Sequence, residues 1–208
     1  MRKWYCVPMI ALCLFLVCCT AGQGEQEEKT AQAVYRTMQG CSMEAEVATG
    51  VGEEAAAFLL RCEYIPEGTC VVEVLAPETI AGIRAIVNGG DLSVAYEDLC
   101  LPAGTLSTER ISPAACLPWL MDAIRDGWLL EESTESLEGV PYVRLCLDET
   151  DDGAAMEAVV WLRKADWIPI RGEIAVNGEI ILTAEFTKFQ FYDTIDADTG
   201  ESSGEKRG

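Results

Sequence analysis

The chain has 208 residues, half of them hydrophobic, with 15 Lys and Arg against 35 Asp and Glu and no histidine, for a net charge of −20. An acid excess of this size repels phosphate backbones and excludes nucleic-acid binding. With no histidine there is no Ser-His-Asp triad, no Cys-His pair and no His-ligated metal, and neither a Gly-x-Gly-x-x-Gly stretch nor a P-loop is present.

Arg2 and Lys3 precede an apolar run from Val7 to Val17, and the first acid is Glu25. The run is short of the roughly 20 residues of a membrane span and reads as the core of a secretory signal. It closes on Leu16-Val17-Cys18-Cys19, which resembles the lipobox of bacterial lipoproteins. Cys19 then stands as the lipidated acceptor with Leu16 three residues before it, and Cys18 occupies the place of the usual Gly, Ala or Ser. Cys18 as acceptor puts Phe15 at the Leu position; an ordinary cleaved signal is the other reading. The resemblance implies a signal peptide over residues 1–18 and a lipid anchor at Cys19 on the extracytoplasmic face of the cell membrane. Cleavage removes Arg2 and Lys3 but no acid, so the charge moves from −20 to −22. Residues 19–28, with TAGQGEQEE after the cysteine, are small and polar and form a tether. One domain over 26–192 is expected to follow, and residues 193–208, with no apolar anchor after Ile195, to be a disordered acidic tail.

Within the domain, Ala31, Val34, Tyr35 and Met38 recur at helical spacing and predict a helix from Gln26 to Gln39, ended by Gly40 in the left-handed conformation. Period-two alternation predicts strands over Ser42–Ala48, Ala55–Tyr64 and Thr69–Ala76. In these, Met43, Ala45 and Val47 share one face, as do Phe58, Leu60, Cys62 and Tyr64. Ile83–Val87 and Asp91–Tyr96 are read as a hairpin turning at Asn88-Gly89. A loop is expected around Pro102 and Gly104. Ser112 and Pro113 look like an N-cap and first helical residue, and Pro118 predicts a kink before a helix over Leu117–Asp126 that stops at Gly127. Strands follow over Val140–Leu147, Met156–Arg163, Trp167–Val176 and Glu179–Phe191, the last two joined at Asn177-Gly178. A two-residue turn there sets Glu173 opposite Leu182, which needs either a bulge or a sheet covered on both faces.

Six cysteines remain in the domain: Cys41, Cys62, Cys70, Cys100, Cys116 and Cys146. Either they form bridges, with Cys62 and Cys70 facing each other across a hairpin, or they are reduced core residues. No Cys-x-x-Cys occurs, and zinc sites have no support. The acid pairs Glu131-Glu132 and Asp151-Asp152 adjoin loop-like stretches and give no acid–base site. Asp148, Glu149, Asp151 and Asp152 make at most a weak calcium loop unlike an EF-hand. No enzyme activity, cofactor or metal is expected.

The stretches VEVLAPETIAGIRAIVNGGDLSVAYEDL from Val72 and VVWLRKADWIPIRGEIAVNGEIILTAEFTKFQF from Val159, behind a tether and an amphipathic helix, resemble the LolA and LppX superfamily of envelope lipoproteins and lipoprotein carriers. The resemblance is one of element order over nearly the whole domain and transfers no ligand residue. It implies an α+β, mainly β fold: a strongly curved, incomplete antiparallel β-barrel with helices on its concave side and an apolar cavity for acyl chains. The candidate lining is Phe58, Leu60, Val72, Val74, Leu120, Met121, Ile124, Val160 and Leu162. The alternative within the same scaffold is an accessory protein that binds another envelope protein, with Trp128, Trp167 and Tyr142 as contact candidates.

Overall fold

Alternation becomes strand in each segment read in the sequence, although the strand expected from Trp167 begins at Pro169, Trp167 itself taking φ 61°. The computed structural model describes residues 30–50, 56–88, 90–105, 111–137, 139–150 and 155–192. The signal, Cys19, the tether over 19–28, the start of the expected helix from Gln26, Gly89, the pair Asp151-Asp152 and the tail lie outside them. Helix α1 is Ala31–Thr37, with Thr30 capping its start through a bond from the Ala33 amide. Strands β1 (Cys41–Thr49), β2 (Ala56–Tyr64), β3 (Thr69–Ala76), β4 (Arg84–Asn88), β5 (Asp91–Tyr96) and β6 (Leu99–Thr105) follow. Next come helix α2 (Pro113–Asp126) and strands β7 (Trp128–Leu137), β8 (Val140–Asp148), β9 (Met156–Arg163), β10 (Pro169–Val176) and β11 (Glu179–Phe191).

Every neighbouring pair is antiparallel, in the order β6-β5-β4-β3-β2-β1-β11-β10-β9-β8-β7. Two meanders are thus joined where β1 pairs with β11, and the sheet ends at β6 and β7 without closing. Its curvature follows from what α2 touches, which is every strand from β4 through β1 and β11 to β8. Eight strands about 4.8 Å apart are about 34 Å across when flat. A 14-residue helix is about 21 Å long and about 10 Å wide, so it meets all of them only if the sheet wraps around it. The fold is therefore the incomplete, helix-filled half-barrel that the sequence resemblance implied.

Several local expectations change. Helix α2 runs unbroken through Pro118. The missing amide costs about 3 kcal/mol, but burial of Leu117, Leu120, Met121 and Ile124 is worth about 6–12 kcal/mol gross, so packing decides. Gly40 lies beyond the C-cap Met38, not at the left-handed position after it. Glycine is required there because a Cβ would sit 2.6 Å from the Tyr64 carbonyl and 2.7 Å from the Tyr192 ring. Asn88 pairs with Asp91, which moves the hairpin turn one residue on from Asn88-Gly89, and Gly90 takes φ 90°.

The loop expected around Pro102 and Gly104 is strand β6, and the stretch holding Glu131 and Glu132 is strand β7. Both are edge strands, where a proline is tolerated, and the polar-apolar alternation fades because α2 packs little against either of them. At the second Asn-Gly turn the bulge is the answer. Asn177 and Gly178 take φ 53° and 80°, and Ile174 pairs with Leu182 but Ala175 with Ile180, so Ile181 is the extra residue.

Candidate functional site: the concave face

Directly paired residues of antiparallel strands point to the same side, so one face can be followed across the sheet. Leu101 pairs with Val94, Val94 with Ala85, Ala85 with Val72, Val72 with Cys62, Cys62 with Met43, and Met43 with Phe189. A parallel row runs Val47, Ala184, Gly172, Val160, Leu145 and ends at Glu132 on β7. The concave face is apolar over almost its whole width. On the β7 edge one row ends at the Glu132 carboxylate and the next, through Ile174, Ala158 and Leu147, at the exposed Leu129, while the first row continues apolar to the β6 edge.

Helix α2 lies in this trough. Leu60, Val72, Leu120, Met121, Ile124, Val160 and Leu162 are buried in one contiguous cluster between helix and sheet, and Phe58 and Val74 pack half-buried against it. The nine residues singled out from the sequence are thus brought together in a packed core around the helix. Leu120 seats against Gly172, where an added Cβ would come 2.8 Å from Leu120 Cδ1.

Polar ties hold the two helices down. The Tyr64 hydroxyl on β2 donates to Asp122 of α2. Arg125 reaches Glu67 in the β2–β3 turn at 2.8 Å. From α1, Gln32 donates to the Gly127 carbonyl and Arg36 to the Arg125 carbonyl, each at 2.9 Å, and Tyr35 donates to the Trp167 carbonyl at 2.9 Å while its ring meets Phe191 edge-on. Beside these ties is a recess of about 340 Å³ lined by Tyr64, Ile65, Cys70, Val87, Pro118, Asp122 and Arg125. Burial is the main cause that raises the Asp122 carboxyl; Asp126 adds to it, while Tyr64 and Arg125 oppose it.

The six cysteines among the described residues are free thiols. Cys62 pairs with Val72, so Cys62 and Cys70 do not oppose each other. Cys41, Cys62 and Cys70 are buried on the concave side with Cys116 of α2. Burial pushes the Cys116 thiol up to about 12 and Cys62 well above its ordinary value, which leaves them protonated and unreactive while the helix is in place.

The sequence reading missed the outer part of the trough. Val94, Tyr96, Leu99 and Leu101 are 37%, 49%, 59% and 54% exposed, although Val94 pairs with Leu101 and Tyr96 with Leu99 on the concave side. The signal was present in the alternation of Leu92, Val94 and Tyr96, but Pro102 and Gly104 hid the partner strand. Of the contact candidates, Trp128 is 75% exposed, whereas Trp167 and Tyr142 are half-buried. Among the described residues no group of three or more Cys, Asp or Glu side chains is placed to hold a metal, and no helix is long and apolar enough to cross a membrane.

Comparison with family models and with curated proteins finds no match. Among solved structures, the chain is similar to a LolA superfamily protein from Nitrosomonas europaea, at 13% identity over 82% of this chain and 93% of the other, with a TM-score of 0.44. It is similar to the lipoprotein LppX from Mycobacterium tuberculosis at 14% identity over 82% and 97%, with a TM-score of 0.43. It is also similar to a chain in the complex of the CwlD amidase with the GerS lipoprotein from Clostridioides difficile, at 17% identity over 82% and 97%, with a TM-score of 0.37.

Proposed function

We propose that the protein is a lipid-anchored extracytoplasmic lipoprotein whose half-barrel holds a hydrophobic ligand, a lipid or the acyl chains of a lipoprotein, between α2 and the concave sheet. The observation that carries this reading is the continuity of the apolar row from the buried Val72 and Ala85 to the exposed Val94 and Leu101. A sheet that needed only a core has no use for an exposed apolar row beyond its helix, and on β5 and β6 that row extends over Val94, Tyr96, Leu99 and Leu101. The ligand enters along β5 and β6, and its chain slides beneath α2 as the helix lifts. Each methylene buried contributes about 0.8 kcal/mol, so eight carbons offer about 6 kcal/mol gross before immobilisation costs.

The test is displacement of a fluorescent fatty acid from the purified protein. Leu101→Glu is expected to weaken probe binding by about tenfold or more, since it sets a carboxylate in the apolar path, and to leave the thermal midpoint unchanged because Leu101 is exposed. Probe saturation is also expected to speed alkylation of Cys62 and Cys116 as α2 lifts. Absence of saturable binding by the unmutated protein overturns the carrier reading and favours the accessory one, a protein that docks another envelope protein through exposed side chains such as Trp128.

A further inference from the structure

We propose that the convex face carries a second, separate docking groove for a partner segment in which an apolar side chain is flanked by Lys or Arg. The solvent side of the sheet is laced by cross-strand charges: Glu73, Arg61, Glu44 and Lys188 form one row of ion pairs over β3, β2, β1 and β11. The second row reads Glu185, Arg171, Trp161, Arg144 and Ser133 across β11 to β7. Between two arginines the alternation calls for a carboxylate, and a tryptophan stands there instead.

The Trp161 ring is held between the guanidinium carbons of Arg171 and Arg144, 5.5 and 5.7 Å from its centroid, and its indole N–H donates to Glu135 at 3.3 Å. The arginines are held in turn: Arg171 by Glu173 at 2.7 Å and Glu185 at 2.9 Å, Arg144 by Glu131 at 3.5 Å. A fixed aromatic between fixed arginines loses little side-chain entropy on binding, which is what interface anchors require.

A second feature, independent of this row, aims apolar surface at the same place. The β9–β10 register skips between Pro169 and Arg171, so Ile170 is a bulged residue, and it lines the groove with Trp161 and Tyr142. Bulges re-aim side chains beside sites. The groove encloses about 520 Å³, with an apolar floor of Tyr142, Trp161 and Ile170. Its polar wall holds Glu135, Glu173 and Glu185 against Arg144 and Arg171, on a chain of net charge −20. Floor and wall together fit an apolar side chain between cationic ones. The groove lies on the face opposite the ligand trough and does not depend on that trough's function.

The experiment titrates the purified protein with the blocked peptide Lys-Leu-Lys and follows the indole N–H resonance of Trp161, assigned from the spectrum of Trp161→Phe. The expected result is a saturable shift, lost at high salt and weaker by about tenfold for Glu-Leu-Glu and for Lys-Gly-Lys. Glu185→Lys, on the rim, is expected to weaken binding about tenfold, with at most a small fall in the thermal midpoint from loss of its exposed pair with Arg171. No saturable shift at Trp161, an equal response to Glu-Leu-Glu, or shifts confined to Val94 and Leu101 overturns the proposal. Fatty-acid binding by Glu185→Lys should equal that of the unmutated protein, which separates the two sites.

Discussion

Glu149 follows β8 and lies against the C-terminal end of α2, where a Cβ on Gly127 would meet its Oε1 at 2.5 Å. That end already carries Asp122 and Asp126, and the last carbonyls of a helix repel a further negative charge. Burial first, then Asp122, Asp126 and Asp148, raise the Glu149 carboxyl above its ordinary range. A carboxyl with a raised folded pKa holds its proton more tightly folded than unfolded. Its stabilising contribution is complete below the unfolded value of about 4.3 and is lost as pH rises through the folded value. Glu149→Gln is therefore expected to raise the thermal midpoint at pH 7 and to match the unmutated protein at pH 3; the reverse order in thermal unfolding would show that Glu149 stabilises as a charge. The sequence put Asp148 and Glu149 in a possible calcium loop, since spacing alone did not reveal that the nearest neighbours of Glu149 come from a helix more than twenty positions earlier.

At the scale of elements, what was legible in the sequence depended on who covers each face. β1, β3, β9 and β11 were read within a residue or so because their faces alternate between helix and water, and Met156, Ala158, Val160 and Leu162 are all buried as their spacing required. The edges β6 and β7 were lost because a strand with one neighbour and little helix above it has no reason to alternate. The stripe of α2 was visible in Leu117, Leu120, Met121 and Ile124, but its seat was not, since nothing links Gly172 to Leu120 along the chain. That seat can be measured. Gly172→Ala is expected to cost about 1–3 kcal/mol by overpacking and Leu120→Ala about 2–5 kcal/mol by leaving a cavity. In denaturant unfolding the double variant should cost less than their sum by at least about 0.5 kcal/mol, since the alanine at 172 fills space that Leu120 vacates. Strict additivity would mean that the two side chains do not share the site.

For the whole molecule, the pairing of β1 with β11 joins the two meanders through residues as far apart in sequence as Cys41 and Phe191, and no local pattern announces it. Element order carried the family resemblance; the nonlocal pairing that makes the trough came only with the structure. On the proposed reading, removal of residues 1–18 takes away Arg2 and Lys3 and leaves a chain of charge −22, which works against residence at a membrane. Anionic headgroups repel it, and among the described residues no helix spans a bilayer. The proposed reading assigns retention at the membrane to a lipid on Cys19. A single acyl chain binds a bilayer with an association constant of only about 10⁴ M⁻¹, so stable anchoring takes the several chains of a processed lipoprotein. Cys19→Ala is expected to abolish incorporation of a fatty-acid label and to move the protein from the membrane to the soluble fraction, with circular dichroism unchanged because the tether precedes the first packed helix at Ala31. Cys18→Ala should keep both label and membrane fractionation. If instead Cys18→Ala loses the label and Cys19→Ala retains it, the acceptor lies one residue earlier, and Phe15 rather than Leu16 fills the Leu position of the signal.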